Sequence, residues 1–188
     1  KGITVDAGLL TSNPKVFAIG DVAGGLQFTH VANYHAGIVV RRALFRLPAK
    51  VNPDIVPWVT FTEPELAHIG LTEDEARKRG LAIGVLRWPF HENDRAQAER
   101  VTEGLIKVVV TKKGGILGAT IASEHAGELI HPWSLAVGQG LNIRAMADYI
   151  APYPTLAEVG KRAAGSYFLP KLTQPIVRKT VQFLSRFG

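Results

Sequence analysis

Apolar residues along this chain recur with two periods, and the changes of period mark its elements. Residues 16–19 are an unbroken apolar run, too short for a helix and suited to a buried parallel strand. Residues 11–14 before it read as a turn, and residues 3–5 as a short strand. From about Phe28 a helical spacing begins. It carries Val31, Tyr34, Ile38 and Phe45, and Arg41 and Arg42 suit its C-terminal half. Pro48, Pro53 and Pro57 then interrupt the pattern and predict a linker over residues 47–57.

Past the linker the pattern changes. Residues 58–63 alternate as a strand. Thr72 to Glu75 spell a capping box, with Leu71 and Ala76 placed as a hydrophobic staple, for a helix reaching Arg79 and stopping at Gly80. Residues 82–88 read as a strand, and residues 91–100 as a short helix or loop. Residues 105–111 and 116–122 predict a hairpin joined through Lys112-Lys113-Gly114-Gly115, where Gly supplies positive φ. Helices are predicted over residues 128–140, with Pro132 near the first turn or at a kink, and over 143–149 and 155–167. From Pro175 onwards Ile176, Val177, Val181, Phe183, Leu184 and Phe187 fall on one helical face. Arg178, Lys179, Gln182, Ser185 and Arg186 fall on the other. That face is expected to pack on its own domain or on a partner subunit, with an anionic membrane surface as the less favoured alternative. Strands followed by helices imply an α+β class: an antiparallel sheet with helices on one side, preceded by the last strand and helix of an α/β unit.

Composition narrows the functions available. The chain has 188 residues, 46% hydrophobic and 20% charged, enough for one globular domain and a piece of another. It begins with Lys1 rather than Met, so a longer parent chain is expected. No apolar run approaches 18 residues and no signal peptide is visible, so a cytoplasmic protein without a membrane-spanning helix is expected. There are no Cys residues, so this chain cannot itself perform dithiol chemistry. The net charge of +6 is spread out, without the interleaved basic and aromatic residues of single-strand binders, and nucleic acid is not an expected partner. His30, His35, His68, His91, His125 and His131 show no metal-ligand spacing, so no metal site is expected.

The richest local pattern is the apolar run ending in Gly20-Asp21, followed by Gly24-Gly25 and the helix from about Phe28. A strand, an acid at its carboxyl end, a Gly-rich turn and a helix is how open α/β sheets build ligand sites. Asp21 can accept hydrogen bonds from a sugar hydroxyl, and a helix N-terminus favours an anion or a polarised carbonyl. A strand-end Asp that merely caps the next helix fits the local pattern equally. Further landmarks follow in order: Phe61-Thr62-Glu63-Pro64-Glu65 with Ile69-Gly70, then Ile116-Leu117-Gly118-Ala119, then Pro154-Thr155-Leu156-Ala157-Glu158. Together these resemble the FAD-dependent pyridine nucleotide-disulfide oxidoreductases, which include dihydrolipoamide dehydrogenase, glutathione reductase and mercuric reductase. The resemblance implies that Gly20 and Asp21 belong to the second FAD-binding motif, with Asp21 on the ribityl chain. Gln27, Phe28, Thr29 and His30 would then open the helix beneath the flavin. It implies a division into residues 1–46 (end of the FAD-binding domain), 47–57 (linker), 58–170 (dimerisation domain) and 171–188 (C-terminal amphipathic helix). It further implies a homodimer, an NAD(P)H domain and a redox-active Cys pair upstream.

In disulfide reductases of that family a His-Pro-Thr-x-x-Glu segment gives a proton-accepting His, oriented by the Glu, to the partner subunit. Here Tyr153 stands at the His position and Glu158 at the Glu position. A phenol with a pKa near 10 is not a base at neutral pH, whereas an imidazole near 6.5 is. A Tyr at this point resembles mercuric reductases, where it lies beside the metal-thiolate site. Those enzymes also carry a Cys pair near the C-terminus, and this chain has none. Thr155 and Glu158 also spell a capping box, which needs no catalytic partner. The readings that stay open are NAD(P)H-to-disulfide electron transfer in the longer protein, mercuric reductase-like metal reduction there, and a non-catalytic dimerisation module for this piece.

Overall fold

The computed structural model describes residues 2–187. The chain divides into two compact units between Val56 and Pro57.

The first unit is built around one helix, α1 (Thr29–Ala43), with Val31, His35 and Ile38 on its buried face. The expected strands are not formed. Residues 3–5 have no regular structure, and residues 16–19 contribute one antiparallel bridge, Leu10 with Phe17. A buried parallel strand needs neighbours on both edges. Among the described residues only the single bridge to Leu10 is supplied, so Val16 and Ile19 remain exposed while Ala18 is buried. Phe45 lies past the end of α1 and is exposed too. Asp6 instead organises this segment: its Oδ1 accepts from the Gly8 and Leu10 amides at 2.8 and 2.9 Å and from Arg42 Nη1 at 3.3 Å.

The second unit is an antiparallel sheet of five strands: β1 (Trp58–Thr60), β2 (Glu65–Gly70), β3 (Ile83–Pro89), β4 (Leu105–Thr111) and β5 (Ile116–Ser123). Their order is β1-β2-β5-β4-β3. The predicted strand at 58–63 ends at Thr60, and β2 is a strand that alternation did not reveal. Its centre, Ala67-His68-Ile69, is buried at three consecutive positions, because β2 sits between β1 and β5 with both faces covered. Gly118 of β5 is required at its position, since a Cβ there would lie 2.3 Å from the Leu71 carbonyl oxygen.

The helices are α2 (Glu73–Lys78), α3 (Asp94–Glu99), α4 (Ala126–Leu129), α5 (His131–Gly138), α6 (Ile143–Asp148), α7 (Glu158–Ser166), α8 (Leu169–Leu172) and α9 (Pro175–Leu184). The capping box of α2 forms as expected, with Thr72 and Glu75 bonding each other's backbone amides. The single helix expected over 128–140 is broken at Ile130, with Pro132 in the first turn of α5, where its missing N–H has no ladder bond to lose. The main core joins Ile106, Val108 and Val110 of β4 to Ile121, Trp133, Ile143 and Val159. Val109, pointing the other way, joins Leu71 and Ala76 in a smaller cluster, so α2 covers the opposite face of the sheet. The face of α9, expected to pack on its own domain or on a partner subunit, is not packed on its own domain and is exposed in the single chain.

Candidate functional site

Two sets of residues carry candidate chemistry, one in each unit.

In the first unit, Gly20 begins a short 3-10 turn, Gly20–Ala23, that delivers the chain to α1. Gly20 has φ +65, and a Cβ would meet Ala32 Cβ at 2.9 Å, so the turn packs tightly on the helix. The Gly20 amide donates to His35 Nδ1 at 3.1 Å. That bond places the imidazole proton on Nε2, and burial holds the His35 pKa below its usual value, so the ring is a neutral acceptor. The partner of His35 lies 15 residues away, and no local spacing reports it.

Asp21 is exposed, and its carbonyl accepts from the Gly24 amide at 3.0 Å. Together with Gln27 it lines an open concavity that Gly2, Ile3, Val22, Gly24 and Gly25 complete. Thr29 is the first residue of α1, whose start has no side-chain cap. Phe28 is half-buried, and its ring stacks on His30 with centroids 5.2 Å apart. Asp21 and Gln27 thus place a carboxylate and a side-chain amide on a glycine-rich concavity, and the uncapped start of α1 follows Gln27 by two residues. That donor and acceptor set suits a polyhydroxylated chain and a polarised carbonyl, and a flavin cofactor fits it.

In the second unit, Tyr153 lies in the loop between α6 and α7 and is exposed. Its hydroxyl donates to Asp94 Oδ2 at 3.0 Å. The bond to Asp94 and the charge of that carboxylate hold the phenol above its usual pKa, so Tyr153 keeps its proton at neutral pH. Glu158 does not bond Tyr153; it is half-buried in the first turn of α7, where it adds to the burial that raises the Tyr149 phenol. The expected Thr155–Glu158 capping box is not formed. Thr155 Oγ1 donates to the Pro152 carbonyl at 2.8 Å, and the N-cap of α7 is Ala157, which has no side-chain acceptor. The loop is held instead by long-range bonds. Tyr149 donates to the Ala157 carbonyl at 3.1 Å, and the buried Asn93 donates through Nδ2 to the Thr155 carbonyl at 3.1 Å. Asn93 also caps α3, accepting from the Ala96 amide at 3.0 Å. One side chain thus ties the helix carrying Asp94 to the loop carrying Tyr153. Neither Asn93 nor Asp94 is visible as a site residue in the sequence, since their partners lie 62 and 59 residues away.

Among the described residues no group of three or more His, Cys, Asp or Glu could hold a metal ion, and no helix is long and apolar enough to cross a membrane.

Known proteins share the fold of this chain. Residues 56–164 match the family described as the pyridine nucleotide-disulphide oxidoreductase dimerisation domain. The chain is 40% identical to a mercuric reductase of Bacillus cereus over 157 residues, 83% of this chain and 25% of that protein. It is 36% identical to a dihydrolipoyl dehydrogenase of Bacillus subtilis over 163 residues, 86% of this chain and 34% of that one. Among solved structures it is similar to LpdA from Mycobacterium tuberculosis, with TM-score 0.83 and 26% identity over 88% of this chain and 36% of that one. It is also similar to a Cu(II) complex of the HOCl-induced flavoprotein disulfide reductase RclA from Escherichia coli, with TM-score 0.79 and 29% identity over 88% of this chain and 38% of that one. The chain spans about a quarter to a third of the length of these curated relatives.

Proposed function

Because the chain belongs to the pyridine nucleotide-disulphide oxidoreductases through their dimerisation domain, we propose that its full-length protein is a cytoplasmic, FAD-dependent, NAD(P)H-using oxidoreductase. Its acceptor would be a disulfide or a related species. The observation that carries this reading is the Tyr153–Asp94 pair, presented on a loop pinned by Asn93 in a family dimerisation fold. Residues 58–170 form the homodimer interface, residues 1–46 close an FAD-binding domain, and residues 47–57 link the two.

Asp21 and Gln27 would hold the ribityl side of the flavin, and Gly20 allows the close approach of backbone to it. Phe28, Thr29 and His30 would border the ring system at the start of α1. Bound flavin supplies the two-electron relay between nicotinamide and a Cys pair outside this chain. Tyr153 would reach the acceptor site of the partner subunit as a proton-bearing hydrogen-bond donor, not as a base, because Asp94 holds its phenol protonated. Glu158 supports the first turn of the helix behind that loop. Mercuric reductase-like metal reduction is the second reading, favoured by Tyr153 at the family's His position and by the similarity to mercuric reductases.

The full-length protein should retain FAD, and Asp21→Ala should lower the flavin it retains. The 188-residue chain, holding only this edge of the site, should bind FAD weakly. A stoichiometrically yellow 188-residue chain, or full flavin retention in Asp21→Ala, would contradict the assignment.

A further inference from the structure

Helix α9 leaves its apolar half in water. Ile176, Val181, Phe183, Leu184 and Phe187 are between 58% and 75% exposed, and Leu169 and Leu172 of α8 extend the patch. Stepping around the helix, Phe183, Ile176, Phe187, Leu184, Val177 and Val181 lie on one half, interrupted only by Thr180, whose hydroxyl donates to the Ile176 carbonyl at 2.9 Å, and Ser185, Arg178, Gln182, Arg186 and Lys179 fill the other. Phe183 and Phe187 meet edge to face at 5.1 Å, so the apolar half carries an aromatic ridge.

The charge around this face has one sign. Glu158 is the last acidic residue of the chain; beyond it come Lys161, Arg162, Lys171, Arg178, Lys179 and Arg186, with no Asp or Glu. The match to the dimerisation family ends at residue 164, before α8 and α9, and α9 lies beyond the proposed dimerisation segment 58–170. A second copy of α9 laid face to face would set Arg178, Lys179 and Arg186 beside their own equivalents, with no acid to answer them. An anionic lipid surface offers both an apolar layer for the ridge and negative headgroups for the cations. A helix of ten residues is also too short to span a bilayer, so it would lie in the surface plane.

We propose that α9 is an interfacial membrane-docking helix. Phe183, Phe187, Ile176 and Leu184 enter the acyl boundary of an anionic bilayer, and Arg178, Lys179 and Arg186 stand at its headgroups. The chain is thereby held on a membrane without crossing it.

Flotation of the 188-residue chain with vesicles of phosphatidylcholine and about 30% phosphatidylserine tests this, that fraction being of the anionic kind the basic face would recognise. The chain should float with these vesicles at low salt and bind pure phosphatidylcholine at least about tenfold less. High salt should weaken binding, because screening shortens the reach of the cations to about 3 Å near 1 M. Phe183→Asp/Phe187→Asp and Arg178→Glu/Lys179→Glu/Arg186→Glu should each abolish flotation. Both should leave the tryptophan-monitored melt unchanged, since α9 contributes no buried residue. No flotation on anionic vesicles, or equal binding to neutral ones, overturns the proposal. So does a Phe183→Asp/Phe187→Asp chain whose light-scattering mass drops, which would assign the face to a second copy.

Discussion

Asn93 is the most informative residue to remove, because one buried amide makes two bonds belonging to different elements. In Asn93→Ala the Ala96 amide loses its cap, a change worth about 1 kcal/mol. The Thr155 carbonyl loses a donor in a part-buried setting, worth about 1–3 kcal/mol more. The sum is about 2–4 kcal/mol, or a fall in Tm of about 8–16 °C at roughly 4 °C per kcal/mol for a unit of this size. The three tryptophans, Trp58, Trp88 and Trp133, all lie in the second unit, so intrinsic fluorescence reports this unit alone. Asn93→Asp keeps an acceptor for Ala96 and loses only the donor to Thr155, so it should fall between parent and Asn93→Ala. If Asn93→Ala melts within about 0.5 kcal/mol of the parent, the size expected of an ordinary surface change, Asn93 does not hold the Tyr153 loop.

Two further outcomes follow from the same geometry. In the full-length protein, Tyr153→Phe should lower NAD(P)H-dependent turnover while the rate of flavin reduction stays unchanged; equal turnover would make Tyr153 an interface aromatic only. The second concerns His68, which is buried with Nε2 donating to the Gly70 carbonyl and Nδ1 accepting from Thr120, each at 2.9 Å. Burial holds its pKa below the usual 6.5, so the unfolded chain takes up the proton first. Stability is therefore full above about pH 6.5 and falls as pH decreases, by up to about 1.4 kcal/mol per pH unit. Glu73, held low by Arg77, and Glu75, held low by Thr72, titrate below that window. His68→Gln should flatten the slope between pH 6.5 and 5.5, and an unchanged slope would refute the assignment.

What was legible in the sequence was local. The capping box of α2 and the β4–β5 hairpin are written within a few residues, and both formed where their patterns lie. β2 escaped because a strand covered on both faces loses its alternation. Residues 16–19 read as a parallel strand because the apolar run is real, yet a strand is defined by its neighbours, and the described residues provide one bridge. At Thr155 the capping pattern misled, since the hydroxyl is engaged by the Pro152 carbonyl and α7 starts three residues later. Tyr153 and Glu158 were legible as a family segment, but the carboxylate that bonds the phenol comes from Asp94 of α3. Such pairings are set by the register of a sheet and the helices around it, not by spacing along the chain.

The central claim is that residues 58–170 are a homodimerisation domain, and the mass of the chain in solution tests it most directly. A stable two-fold contact buries more than about 1,200 Å² and should persist at micromolar concentration. Light scattering of the 188-residue chain should give twice its 20.4 kDa across that range. A mass of 20.4 kDa at the same concentrations would contradict the account.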